Sequence, residues 1–389
     1  MSLMQELGQR ALDRGVPLSV QLDVTYRCNE RCIHCYLDHD DHGEMTTAEI
    51  CSLLDQLAEA GVFFLTLSGG EVFMRQDFFD IVEYARSLMF CVKIKTNAFM
   101  IREKEARGLR NLMVQDVQVS IYSHRPEVHD AITLLPGSLK RSVAGIRLLR
   151  THGVKVVVAN VLMMRNLRDQ AGVKKLAKEL GAEYTIDPTI TPMMDGDRSV
   201  LRLGLGVPQL QDVFRNSDLV GDVDEFCAPP PAVNDDVLQE FPCSAGHTAC
   251  YISPYGDLFP CVQFPLPSGN VRRQKFMDIW RHSDQLNEVR SITARDLPVC
   301  SGCSHVGTCT RCPGLAYLEG NMRGPSPQDC EKSFARTGVP SANMHLKRAY
   351  PTLSWLGSDS VSFGDPLSPA SICLRYASLS GIWIDRPVR

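Results

Sequence analysis

No stretch of the 389 residues approaches the roughly 20 consecutive apolar positions that a membrane-spanning helix needs. The first 15 residues mix polar and apolar side chains without a continuous apolar core, which excludes a secretory signal peptide. Charge of one sign is missing too. Lys and Arg number 41 against 45 Asp and Glu, a net charge of -4, so nothing draws the chain to nucleic acid or an anionic membrane. Aromatic residues are scarce at 7%, whereas 44% hydrophobic and 22% charged residues are ordinary for a globular chain. The expected location is the cytoplasm, where disulfides are disfavoured. Against that background the 15 cysteines point to metal ligands or reactive thiols. Cys28, Cys32 and Cys35 lie within eight residues, nine more fall between Cys227 and Cys330, and Cys51, Cys91 and Cys373 stand apart.

From residue 18 to 187 the sequence alternates strand-like and helix-like segments. Residues 18–24 alternate apolar and polar side chains and predict a strand that ends where the first cysteines begin. Thr46-Thr47-Ala48-Glu49 has capping-box spacing, in which the Thr46 hydroxyl and the Glu49 carboxylate satisfy N–H groups left open at a helix start. The helix that follows carries Ile50, Leu53, Leu54, Leu57 and Ala58 on one face and closes at Gly61. Further strands are expected at 62–67, 91–96, 116–121, 154–162 and 184–187, and helices at 78–87, 138–152 and 169–180. Such alternation needs crossover connections and implies a parallel sheet. About six units are too few to close an eight-unit barrel. The expected fold is α/β, an open partial (β/α)6 TIM-like barrel with its chemistry at the C-terminal ends of the strands.

Composition shifts divide the rest. Residues 1–17 read as an N-terminal helix or extension, and 188–242, with Pro229-Pro230-Pro231, as a bridge or linker. Residues 243–330 form a small cysteine-rich domain with few periodic segments, so metal is expected to hold its fold. Residues 331–389 are a tail with isolated Trp355 and Trp383 and no period from which to assign structure.

The first cluster reads Cys28-Asn29-Glu30-Arg31-Cys32-Ile33-His34-Cys35-Tyr36, a C-x3-C-x2-C loop directly after a predicted strand. Three thiolates in one loop hold three corners of a cubane cluster and leave the fourth iron open, as a catalytic site needs. The alternative is zinc, with His34 or His39 as fourth ligand, although zinc sites favour C-x2-C pairs. His34 itself is expected to pack or to space the loop.

This loop at the end of the first strand, with Ser68-Gly69-Gly70-Glu71 at the end of the second, resembles the radical S-adenosylmethionine (radical SAM) enzymes. The resemblance implies a 4Fe-4S cluster on Cys28, Cys32 and Cys35 whose open iron binds S-adenosylmethionine. Reductive cleavage of that cosubstrate gives a 5′-deoxyadenosyl radical that abstracts hydrogen. Gly69 and Gly70 let backbone carbonyls approach the ligand amine. Glu71, Thr96, Asn97 and Ser120 are the implied cosubstrate contacts, with ordinary strand roles as the alternative for Thr96 and Ser120. Thr133 stands where many members carry Arg, and Arg141 or Arg165 is the expected replacement. Val72 also departs from the common Gly-Gly-Glu-Pro.

The later cysteines, Cys243-x12-Gly256-x4-Cys261, Cys300-x2-Cys303-x5-Cys309-x2-Cys312 and Cys330, resemble the SPASM module. The last spacing in the quartet is one residue shorter than usual. The resemblance implies two auxiliary 4Fe-4S clusters, one on Cys243, Cys261 and Cys312, with Cys250 to complete it, and one on Cys300, Cys303, Cys309 and Cys330. A zinc ribbon on the quartet is the alternative, and it leaves Cys243, Cys261 and Cys330 unexplained. Cys51, Cys91 and Cys227 are not expected to be ligands.

Members of this subgroup mostly modify peptides or proteins, as ribosomal-peptide (RiPP) maturases that crosslink, decarboxylate or epimerise, or as sulfatase maturases. Others act on tetrapyrrole precursors. Val262 after Cys261 departs from the acidic base that sulfatase maturases place there. The expected activity is that of a radical SAM oxidoreductase maturing a leader-bearing precursor peptide. The implied electron donor is a flavodoxin or ferredoxin. With the first strand near residue 18, leader recognition is expected from a separate protein, or from the bridge and tail of this chain. The other readings are a small-molecule enzyme and a non-enzymatic zinc or electron-transfer protein.

Overall fold

The computed structural model describes residues 3–342. Six parallel strands follow one another across one sheet: β1 (Ser19–Thr25), β2 (Phe64–Gly69), β3 (Cys91–Thr96), β4 (Asp116–Ser120), β5 (Val156–Val161) and β6 (Glu183–Asp187). Helices in the crossovers cover the outer face, giving the partial barrel that the sequence pattern predicts. The outward side chains Val20, Leu22, Leu65, Leu67, Val92, Ile94, Val117 and Val119 belong to the main apolar core. The helix Thr47–Glu59 starts at the capping box of Thr46 and Glu49 and buries Ile50, Leu53, Leu54 and Leu57 against that face. Each of those side chains contributes roughly 1.5–3 kcal/mol by leaving water.

The inward face is different. Gln21, Asp23, Thr66, Ser68 and Gln118 alternate with the outward apolar residues and are themselves buried. Strands of a parallel sheet buried on both faces usually read as continuous apolar runs. A polar interior in such a sheet marks the inside of the barrel as a place for chemistry.

Several features escaped the sequence pattern. The sheet does not stop at β6 and β1. A seventh strand, β7 (Ala249–Ile252), pairs parallel to β1 with Val20 opposite Cys250, and β8 (Asp257–Phe259) and β9 (Gly269–Asn270) extend it antiparallel. The cysteine-rich region is thus fused to the barrel through main-chain hydrogen bonds. The bridge 188–242 contains the helix Val207–Phe214, whose Leu210, Val213 and Phe214 pack with Ala335 of the helix Pro327–Thr337. The other bridge helices, Ser217–Val220, Val223–Phe226 and Asp235–Leu238, span four residues each, too few for a period. The crossover helix Glu103–Asn111 is mostly charged and buries only Ala106 and Leu109. Trp355, Trp383 and Cys373 lie outside the described residues. Among the described residues no helix is long and apolar enough to cross a membrane.

Candidate metal centre and cosubstrate site

The Cys28–Cys35 loop leaves the C-terminal end of β1 and is strapped to the following βα units. The Arg31 and Ile33 N–H groups donate to the carbonyls of Thr133 (3.0 Å) and Ile132 (2.9 Å). Arg27 pairs with Glu44 at 3.0 Å on the approach to the loop. The end of β2 lies so close that only glycine fits. A Cβ on Gly69, where φ is +137°, would sit 2.0 Å from the Thr25 oxygen, and one on Gly70 would sit 2.4 Å from the Arg27 oxygen. The Gly70 and Glu71 N–H groups instead donate to Thr25 and Arg27 carbonyls at 2.8 and 2.9 Å. The absent side chains make room for the backbone entering the cysteine loop.

Glu71 turns its carboxylate inward and is fully buried. It accepts from the Thr96 hydroxyl at 2.7 Å, the Asn97 N–H at 2.8 Å and the Phe73 N–H at 3.2 Å. Burial outweighs those bonds and pushes its pKa up to about 7. Asn97 Nδ2 reaches Asn29 Oδ1 at 2.9 Å and Cys28 Sγ at 3.9 Å. Gly69, Gly70, Glu71, Thr96 and Asn97 therefore meet at the cysteine loop. Ser120, at the end of β4, shares a hydrogen bond with Tyr122. Thr133 is buried and bonded to Ser138 at 2.7 Å. Arg141 lies over the Phe99 ring at 5.6 Å, with Nη2 buried and unpartnered, whereas Arg165 is exposed.

Cys32 and Cys35 are buried and Cys28 is half-buried. Burial pushes Cys35 up to about 12 and Cys28 and Cys32 well above the ordinary thiol range, with the neighbouring acids Glu71 and Glu30 adding to the rise. Within the loop Glu30 Oε1, Asn29 Nδ2 and both ring nitrogens of His34 are buried without hydrogen-bond partners, as are those of His39 beyond it. Soft sulfur donors amid orphaned polar atoms fit a bound iron–sulfur group, whose positive irons would stabilise the thiolates. A single zinc ion fits less well. Ligands at 2.3 Å would bring the sulfurs within about 3.8 Å of one another. Among the described residues, no three Cys, His, Asp or Glu side chains gather closely enough to hold one ion.

Inside the barrel lies a network that sequence reasoning missed. Asp23 Oδ2 accepts from the hydroxyls of Tyr36 (2.8 Å) and Tyr251 (3.0 Å), and Oδ1 accepts from Gln21 Nε2 at 3.0 Å. Tyr26 and Tyr251 share a hydrogen bond of 2.6 Å, and Lys95 donates to Gln21 at 3.0 Å. Burial raises the Asp23 pKa. One signal was legible, an acid at an inward position of β1 between Leu22 and Val24. Its partner Tyr251 is far away in the chain. Tyr26, Tyr36, Tyr122, Tyr251 and Phe259 join Cys32 and Cys35 in one buried cluster, and Cys261 packs against it.

The later cysteines fall into two groups. Cys243, Cys261 and Cys312 lie within electrostatic reach of one another, and burial lifts Cys243 to about 12 and Cys261 to about 11. The Cys312 N–H donates to Asp329 at 2.7 Å. Cys300, Cys303, Cys309 and Cys330 line one cavity. Cys250 lies on the outer face of β7 in the core with Val20 and Trp280, within electrostatic reach of Cys261 of the first set and of Arg290. Cys227 donates to the Phe214 carbonyl and packs beside Phe214 and Leu210. Cys51 and Cys91 are half-buried, away from both groups.

Comparison with known proteins agrees with this layout. Residues 22–176 match the radical SAM superfamily and residues 243–304 the SPASM iron–sulfur cluster-binding domain. The AdoMet-dependent heme synthase of Methanosarcina barkeri is 28% identical over 326 residues, covering 78% of this chain and 93% of that protein. The mycofactocin maturase MftC of Mycobacterium tuberculosis is 28% identical over 357 residues, covering 88% and 89%. SuiB of Streptococcus suis, solved bound to its precursor peptide SuiA, superposes with a TM-score of 0.67 at 15% identity over 84% of this chain and 79% of that one. The chain belongs to the radical SAM superfamily and carries a SPASM iron–sulfur domain joined to its partial barrel.

Proposed function

We propose that this chain is a peptide maturase, a radical SAM/SPASM enzyme that abstracts hydrogen from a leader-bearing precursor peptide. The observation that carries the reading is the buried Asp23 with its three tyrosines, set between the first cysteine loop and Cys261. Such an interior suits a single side chain reaching in from a peptide, and a carboxylate there can hold the proton that an oxidised side chain releases. The guanidinium groups of Arg27, Arg75 and Arg125 at this end of the sheet are each paired with a carboxylate, which leaves them poorly placed for a substrate rich in carboxylates.

In this reading Cys28, Cys32 and Cys35 hold the first 4Fe-4S cluster. Cys243, Cys261 and Cys312 hold one auxiliary cluster, and Cys300, Cys303, Cys309 and Cys330 a second. Cys250 would have to leave its apolar layer to join the first of these. When loaded, the first cluster supplies the electron that cleaves S-adenosylmethionine to a hydrogen-abstracting 5′-deoxyadenosyl radical. The chain's own residues do the rest. Gly69 and Gly70 hold β2 against the cysteine loop, and Glu71 fixes Thr96 and Asn97 beside Cys28. Ser120 and the unpartnered Nη2 of Arg141 meet the polar groups of the cosubstrate. A flavodoxin or ferredoxin supplies electrons, and a separate protein recognises the leader.

The identity shared with the heme synthase favours a second reading, a tetrapyrrole substrate. Anaerobic turnover with S-adenosylmethionine separates the two. The maturase reading predicts a mass change in a precursor peptide encoded beside the gene and none in a decarboxylatable tetrapyrrole. The opposite pattern overturns it.

A further inference from the structure

The helix Pro327–Thr337 carries an acid and an ammonium into the interior of the cysteine-rich domain. Asp329 is 1% exposed and Lys332, one turn further on, is 7% exposed. Lys332 Nζ lies 3.2 Å from Asp329 Oδ1 and donates to Thr189 Oγ1 at 2.8 Å. Asp329 Oδ2 accepts the backbone N–H of Cys312 at 2.7 Å. Both oxygens therefore accept, one of them from a cation, as those of a carboxylate do.

This carboxylate stands between the two later cysteine groups. It is bonded to Cys312, which belongs with Cys243 and Cys261, and it also lines the cavity of Cys300, Cys303, Cys309 and Cys330. Its charge reaches Cys300 and Cys309, where it opposes ionisation of the thiols. A buried acid set against thiols is unfavourable for the bare protein, and a neutral acceptor would hold the Cys312 N–H as well. At a metal centre the charge has a use. Negative charge beside an iron–sulfur cluster opposes the added electron and lowers the reduction potential. An N–H given to a carboxylate is also withheld from cluster sulfur, which acts in the same direction.

We propose that Asp329 is an electrostatic bridge between the two auxiliary clusters that lowers the reduction potential of both, with Lys332 as the counter-charge that limits the effect. The proposal rests on the reading that each of the two cysteine groups binds a cluster. Low potentials at both centres let the pair pass an electron onward instead of holding it. Asp329 is in this sense a positioning residue, acting through the clusters without touching substrate.

The test uses the full chain with Cys28→Ala, Cys32→Ala and Cys35→Ala, which leaves only auxiliary iron. The reconstituted protein is titrated anaerobically against potential, and each reduced cluster is followed by its EPR signal. Asp329→Asn should keep the auxiliary iron and raise both midpoints. Lys332→Gln, which retains a donor for Asp329, should lower both. A purely structural role would not move the midpoints in opposite directions. Loaded variants with unchanged midpoints, shifts of the same sign, or a shift confined to one cluster overturn the proposal and leave the cluster reading standing. Should Asp329→Asn fail to take up iron, Lys332→Gln decides alone, and midpoints that stay or rise overturn the proposal. Parent protein that is folded by circular dichroism yet shows fewer than two auxiliary clusters overturns the cluster reading, and the proposal with it.

Discussion

Replacing Gly70 with alanine should damage the first metal centre without touching a ligand. The new Cβ would stand 2.4 Å from the Arg27 oxygen and 2.5 Å from the Tyr26 oxygen. Both obstacles are backbone, one residue or two ahead of Cys28, and neither can rotate away. Overpacking of this kind costs about 1–3 kcal/mol, and rigid neighbours place it at the upper end. Relief must move either the end of β2, which carries Glu71, or the chain entering the cysteine loop. Anaerobically reconstituted Gly70→Ala should therefore melt several degrees below wild type. It should lose the iron of one cluster while keeping auxiliary iron. Wild-type iron content and melting in Gly70→Ala would refute the close-approach account of the Gly-Gly pair.

Three further outcomes follow from the geometry. Leu54→Ala, at a fully buried site on the helix Thr47–Glu59, should cost about 2–5 kcal/mol in denaturant unfolding. The surviving folded enzyme should cleave S-adenosylmethionine normally. Asp23→Asn should keep 5′-deoxyadenosine release but slow formation of modified peptide by about 10²-fold or more. Equal loss of both products would show that the residue acts on folding or cosubstrate binding instead. Asp77 is held down to about 2 by Arg75, which bonds it at 2.9 and 2.6 Å. A depressed carboxylate stabilises the fold above its ordinary value near 3.8 and loses that contribution as pH falls through about 2. The stability gap between wild type and Asp77→Asn should accordingly be widest near neutrality and close in acid. A gap that stays constant with pH would contradict the ion-pair assignment.

What could be read in advance was whatever the chain writes locally. The capping box at Thr46, the six parallel strands and the two cysteine groups each depend on residues near one another in sequence, and all were legible there. Glu71 was legible as a motif, but its three donors come from the turn after β2 and the end of β3. The Asp23 network was not legible, because Tyr251 reaches it only through the pairing of β7 with β1, and a four-residue strand carries almost no periodic signal. The same pairing turns Cys250 toward the helices, since side chains alternate along a strand. The spacing of Cys243, Cys250 and Cys261 contains nothing that separates Cys250 from the other two.

The central claim is that Cys28, Cys32 and Cys35 form the radical-initiating centre, with separate auxiliary iron behind it. The direct measurement is iron content and 5′-deoxyadenosine release, side by side, for reconstituted wild type and Cys28→Ala under dithionite. Wild type should release 5′-deoxyadenosine. Cys28→Ala should release none while keeping roughly two thirds of the iron, one cluster of three being lost. Fully loaded wild type that releases no 5′-deoxyadenosine, or Cys28→Ala that still does, would contradict the account.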